Sequence, residues 1–148
     1  MQQQKRGGKI AMTGDELDAY LRNERTCTVA TIGLNGPHAS ALWFVWDGTS
    51  FWMYSITRSQ RWTNLERDPR VSVLVEAGDD YMELRGAELI GSVETVGEVP
   101  RTGEACAELT EPERLWDEKY GLAHDGRHAW LRLTPRKIVS WDFRKLGG

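Results

Sequence analysis

The chain has 148 residues, a mass of 16.8 kDa and a formal net charge of −3. A chain of this size can bury roughly 70% of its unfolded surface, so it needs no staple to fold, and its two cysteines, Cys27 and Cys106, are too few for a disulfide framework. The 19 basic and 22 acidic residues exclude a general nucleic-acid binder, and no apolar run approaches the ~20 residues of a membrane helix.

The first ten residues are polar and basic, with no apolar signal core behind them. The expectation is a cytoplasmic protein with reduced thiols, a flexible lead over 1–12 and one domain over 13–148. Thr13 and Glu16 form a capping box, and Leu17, Tyr20 and Leu21 give an apolar stripe, which predicts a helix to about Asn23. The β-branched run Cys27–Ile32 predicts a strand that ends in the Gly33–Pro37 turn. His38–Trp46 is the next strand, and Asp47-Gly48 joins it to a hairpin partner, Phe51–Ile56. Ser59–Glu66 predicts a short helix, ended by Asp68-Pro69, and Arg70–Glu76 a further strand. Tyr81–Val96 reads as one long strand whose Gly86 and Gly91 suggest bulges or a barrel corner. Pro100–Tyr120 reads as helical, broken near Thr110–Pro112, and Arg127–Leu133 and Lys137–Phe143 as the last strands.

Six or seven strands joined mostly by short turns describe an antiparallel sheet, which at this length curls into a barrel or folds into a sandwich. A doubly wound sheet would need a helix after nearly every strand. The charge along the chain is uneven. Residues 79–119 hold twelve acids and four bases, whereas 127–148 hold six bases and one acid. Solvated helix faces and tails account for most of this.

Chemistry concentrates between Ser55 and Leu65, a stretch without an acid. A strand ends at Ile56 and a helix begins within three residues, across Thr57, Arg58 and Ser59 to Arg61. A helix N-terminus presents unpaired N–H groups, hydroxyls donate hydrogen bonds and arginine forks onto phosphate. The junction therefore reads either as a phosphate cradle or as a Ser/Thr cap beside two solvated arginines. It is no P-loop, since the Gly-rich element and its Lys are absent. His38 reads as a surface or groove residue. His124 and His128 are four apart, but Gly126 between them and the lack of a third local ligand favour a loop over zinc. Cys27 reads as an inert buried thiol, and Cys106 lacks a basic neighbour to activate it. Trp116 and Tyr120 share a helix face and predict docking onto the sheet. Tyr54, Tyr81, His38 and water remain open as sources of a proton.

The order Gly36-Pro37, Asp47-Gly48, the aromatic strand 51–56, the basic loop with Arg61, Asn64-Leu65 and Asp68-Pro69-Arg70-Val71-Ser72 resembles the pyridoxamine-phosphate-oxidase-like split-barrel superfamily of flavin and deazaflavin oxidoreductases. The resemblance spans about Thr13 to Phe143. With the ending Leu131–Trp141 it points to the short members that use the deazaflavin coenzyme F-420. It implies a mainly β, antiparallel split barrel and a homodimer with two grooves between subunits. It also implies a cofactor in each groove, F-420 first and FMN as the alternative, and a planar conjugated small-molecule substrate such as a quinone or a bilin. A haem-binding or non-enzymatic carrier on the same fold is the third reading. By resemblance, Arg61 meets the cofactor phosphate beside Ser55, Thr57, Arg58 and Ser59. Ser40, Ala41, Leu42 and Trp43 lie along the ring, Asn64 stands behind the loop, and Trp141 reaches over from the partner subunit or packs the dimer. Gln60-Arg61 replaces the family's Arg-Lys pair, and the residues to Gly148 do not include the C-terminal segment that binds pyridoxal phosphate. Oxidation of vitamin B6 is therefore not expected, and tight FMN binding is disfavoured.

Overall fold

The computed structural model describes residue 4 and residues 7–121 and 125–147, so His124 lies outside the described residues. Helix α1 (Gly14–Asn23) starts at the capping box, in which Glu16 N–H donates to Thr13 Oγ1 at 3.2 Å and Thr13 N–H to Glu16 Oε1 at 2.9 Å. Its buried Tyr20 and Leu21 dock onto the sheet, and the Tyr20 hydroxyl lies 3.1 Å from the Val75 carbonyl. Residues 7–12 are also seated. The Ile10 carbonyl accepts from Asp142 N–H at 2.7 Å, and Met12 N–H donates to Ser140 Oγ at 3.0 Å. The part of the expected lead from Ile10 onward is therefore hydrogen-bonded to the sheet.

Seven antiparallel strands follow: β1 (Thr26–Gly33), β2 (Gly36–Trp46), β3 (Phe51–Ile56), β4 (Arg70–Ala77), β5 (Arg85–Val96), β6 (His128–Leu133) and β7 (Lys137–Asp142). Their order is β4-β1-β2-β3-β6-β5-β7, and pairing of β4 with β5 closes six of them into a barrel. Alternation sets the core. Cys27 and Val29 on β1, Val71, Val73 and Val75 on β4, and Ala87 and Leu89 on β5 all point inward with Phe44, Phe51 and Met53. At roughly 25 cal/mol per Å² of apolar surface removed from water, this cluster is the main stabilising force.

The barrel splits where strands change partners. β2 pairs with β1 over Gly36–Trp43, but with β3 only from Phe44 to Trp46. β3 meanwhile continues to Ile56, paired only with β6. The edge of β2 from Gly36 to Trp43 that faces β3 is therefore open. A second changeover lies on β5, which pairs with β4 and β7 up to Ser92 and Ile90 and with β6 from Val93. β6 and β7 run end to end along β5, interrupted at 134–136. Gly91 is opposite that break, where a Cβ would come within 2.9 Å of Leu133 Cδ1 and 3.1 Å of the Thr134 carbonyl.

Five expectations are corrected. Tyr81–Glu83 is a 3-10 turn, and β5 begins only at Arg85. Residues 100–106 are not helical; a 3-10 turn at Ala107–Leu109 leads into α3 (Thr110–Tyr120). Pro112 is in the first turn of α3, where its missing N–H has no helical partner to lose, so it does not break the helix. β7 ends at Asp142, whose carboxylate caps a 3-10 turn over Phe143–Leu146. Gly86 marks a close approach rather than a bulge, because a Cβ there would lie 2.2 Å from the Trp141 indole. Among the described residues no helix is long and apolar enough to cross a membrane.

Gly86→Ala should force the Trp141 indole off its seat and cost about 1–3 kcal/mol by overpacking. Urea denaturation followed by tryptophan fluorescence measures both effects; unchanged stability and emission would show that the indole has room to shift.

Candidate functional site

Helix α2 (Gln60–Arg67) begins just beyond the end of β3 and turns its buried face, Arg61, Trp62, Asn64 and Leu65, toward the split. Ser59 is its N-cap. The Ser59 hydroxyl accepts from Trp62 N–H at 3.1 Å and donates to the Ile56 carbonyl at 2.9 Å, so it organises the loop. Asn64 is fully buried and locks α2 to β1. Its amide donates to Thr31 Oγ1 at 3.0 Å and accepts from Gln60 at 2.8 Å. Thr57 donates its N–H to the Arg127 carbonyl at 2.9 Å, and Arg58 is exposed.

Arg61 spans the split. Its Nε donates to Ser55 Oγ on β3 at 3.0 Å and its Nη1 to Ser40 Oγ on β2 at 2.8 Å. The residue is only 6% exposed, and no acid pairs with it among the described residues. Burial pushes the pKa of its guanidinium down. A buried charge satisfied only by neutral hydroxyls is costly unless an anion completes its shell.

On the outer side of the same split lies a cavity of about 530 Å³. Ala41, Leu42 and Trp43 of β2 form one wall, Tyr54 of β3 and His128 of β6 another, and Trp116 and Tyr120 of α3 a third. Trp43 is 46% exposed and stacks on Tyr120, with ring centroids 4.4 Å apart and planes within 7°. Trp116 packs against Tyr54 at 5.5 Å and Trp130 at 5.5 Å. The Tyr120 hydroxyl lies 2.6 Å from the Arg25 carbonyl and 2.8 Å from that of Phe44, and burial raises its pKa to about 12. It is a tether, not a ready proton source. Among the described residues the Tyr54 hydroxyl and His38 Nδ1 are buried without a hydrogen-bond partner, and desolvation of Tyr54 raises its pKa.

The structure thus brings Ser40, Ser55 and Arg61 together inside the split and Ala41, Leu42 and Trp43 along the cavity beside it. Thr57, Arg58 and Ser59 form the adjoining loop. Trp141 does not line the cavity of its own chain; its indole rests on Gly86. Tyr81 is exposed on its 3-10 turn and does not line the cavity. The sequence marks Trp116 and Tyr120 as docking residues only, and it gives His128, on the expected strand 127–133, no role in the site. The i, i+4 spacing placed Trp116 and Tyr120 on one helix face but carried no sign that Trp43 would lie under it. No group of three potential metal ligands occurs among the described residues.

The family model for pyridoxamine 5′-phosphate oxidase matches residues 13–142. A conserved hypothetical protein from Mycobacterium tuberculosis is 34% identical over 99% of this chain and 94% of its own, with a TM-score of 0.77. An F420 reductase is 22% identical over 82% of this chain and 94% of its own, TM-score 0.62. The heme storage protein HutZ from Vibrio cholerae is 17% identical over 85% and 93%, TM-score 0.70. The last two likenesses speak for the fold alone. No curated protein matches the chain.

Ligand-free Arg61→Met should be more stable than the wild type by roughly 1–3 kcal/mol, since an unpaired buried charge is replaced by an apolar chain of similar length. A lower urea midpoint would show that Arg61 is retained for packing.

Proposed function

Because the chain belongs to the pyridoxamine 5′-phosphate oxidase family, we propose that it is an oxidoreductase that uses the deazaflavin F-420 to reduce a planar conjugated small molecule. The observation that carries this reading is Arg61, held between Ser40 and Ser55 with no acid among the described residues to neutralise it. A phosphate completes that shell with charge-assisted bonds. The donors available to it are Arg61, Thr57 and the exposed Arg58, with Ser40 and Ser55 fixing the guanidinium. Ala41, Leu42 and Trp43 offer the flat apolar wall a tricyclic ring needs. The volume of about 530 Å³ suits a small molecule. The deazaflavin, when bound, supplies a hydride, and the protein's part is to bind, orient and exclude water. The absence of the Arg-Lys pair expected for tight FMN binding supports F-420 over FMN.

The proposal includes a homodimer. Alternation leaves one outer face of the β7-β5-β4-β1-β2 sheet carrying Ala30, Ile32, Ala39, Ala41 and Trp43 exposed, with Leu74, Ile90, Val139 and Trp141 half-buried. Trp141 shares this face with Trp43, so pairing two copies through it places both indoles at the interface.

Fluorescence titration of the purified protein should show F-420 binding more tightly than FMN. Arg61→Ala should weaken F-420 by roughly ten- to a hundred-fold, the worth of charged hydrogen bonds. Release of FMN from the purified protein would favour the flavin reading instead, and unchanged affinity would remove Arg61 from the role. Sedimentation should give twice 16.8 kDa, and Ala30→Glu should shift the protein toward monomer; a monomeric wild type would refute the dimer.

A further inference from the structure

The cavity has one polar end. His128 and Asp125 both line it, and His128 Nδ1 is 2.9 Å from Asp125 Oδ1 and 2.8 Å from Oδ2. Asp125 also accepts from Arg127 N–H at 2.9 Å, and these bonds hold its carboxyl below the usual carboxylate range. It stays ionised and can only accept, so the hydrogen on this contact belongs to Nδ1. That fixes the tautomer and leaves Nε2 as the nitrogen that gains and loses a proton. The imidazole is further held by stacking on the Tyr54 ring, with centroids 4.9 Å apart and planes within 21°. Its backbone carbonyl accepts from Arg101 N–H at 2.8 Å.

We propose that His128 is the proton donor to the substrate in this cavity and that Asp125 is its positioning residue. The inference rests on the reductase reading above. A conjugated carbonyl compound is the substrate class it fits. Two electrons and a hydrogen arrive as hydride from a reduced deazaflavin, and negative charge develops on the carbonyl oxygen. The donor is the imidazolium form, in which Nε2 also carries a hydrogen: the Nε2–H bond breaks as the new O–H bond forms, leaving neutral His128 with its hydrogen on Nδ1. Neutral His128 then takes a proton from water, for which its side chain, 25% exposed, has access. The aromatic walls of Trp43, Trp116 and Tyr120 offer no comparable group, since burial holds the Tyr120 proton up to about pH 12. Among the described residues, the titratable and charged groups around His128 are Asp125 in its own loop, Tyr54 on β3, Tyr120 on α3 and Arg101. The Arg101 guanidinium is occupied by Glu98 and Glu113.

Two measurements test this. Long-range proton–nitrogen NMR of the ligand-free protein should show neutral His128 with its hydrogen on Nδ1, a preference lost in Asp125→Asn. A hydrogen on Nε2 in the wild type overturns the proposal. Single-turnover oxidation of reduced F-420 by a soluble naphthoquinone should slow roughly a hundred-fold in His128→Gln. The pH dependence of that step should flatten while F-420 affinity stays unchanged. Equal rates in the two proteins, with F-420 affinity intact, also overturn it. A wild type that binds neither F-420 nor FMN would instead sink the reductase reading, and the tautomer measurement would still decide whether the Asp125–His128 pair is built as described.

Discussion

A guanidinium bridging two strands that have stopped pairing governs this molecule. Antiparallel strands satisfy one another's backbone groups, so a sheet that opens must find other partners along the gap. Here β2 pairs with β3 only from Phe44 onward, and the gap before it is spanned by Arg61, reaching Ser40 on one lip and Ser55 on the other. The elements around it depend on that span. Ser59 caps α2 so that Arg61 falls in its first turn, and Asn64 clips α2 to Thr31 so that the turn faces inward. Stability alone would favour an apolar side chain at this point. In the proposed function the charge is kept there for the phosphate of the cofactor.

The two sides of the split have different chemistry because alternation along β2 divides them. Ser40 points inward, to Arg61, and Ala41 and Trp43 point outward, to the aromatic cavity. One strand therefore meets a guanidinium on one face and offers a flat apolar surface on the other. A ligand with a phosphate and a planar ring needs both, and the open edge between β2 and β3 is where they meet.

Much of the scaffold was legible because its signals are local. The Thr13–Glu16 capping box, the Asp47-Gly48 turn and the β-branched runs of β1 and β4 each encode their element within a few residues. The strand-to-helix junction at the basic, acid-free loop was legible too, and within it Ser59 caps α2 and Asn64 clips it to Thr31. What was not legible depends on partners far along the chain. Nothing near Gly86 says that Trp141 will lie on it, and nothing near Tyr120 says that Trp43 will stack beneath it. The Tyr81–Glu83 turn was hidden because aromatic and apolar residues at a strand's approach look like strand. The end-to-end arrangement of β6 and β7 along β5 could not be read from two adjacent strand-like runs, which more commonly form a hairpin.

Helix α3 is fastened unevenly. At its start Glu113 takes a two-pronged bond from buried Arg101, at 2.8 and 2.9 Å, and a third from the Trp130 indole at 3.1 Å. At its end the ties are single groups gathered on the Phe44 and Arg25 carbonyls, the Tyr120 hydroxyl and the half-buried Lys119 ammonium. Burial beside Arg25 brings that ammonium down to a pKa of about 8, so it sheds its charge within reach of neutral pH. The end of the helix with these single ties is also the wall of the cavity that carries Tyr120, so substitutions confined to that last turn alter the shape of the cavity at a distance from the Arg61 bridge, which is built on α2, β2 and β3.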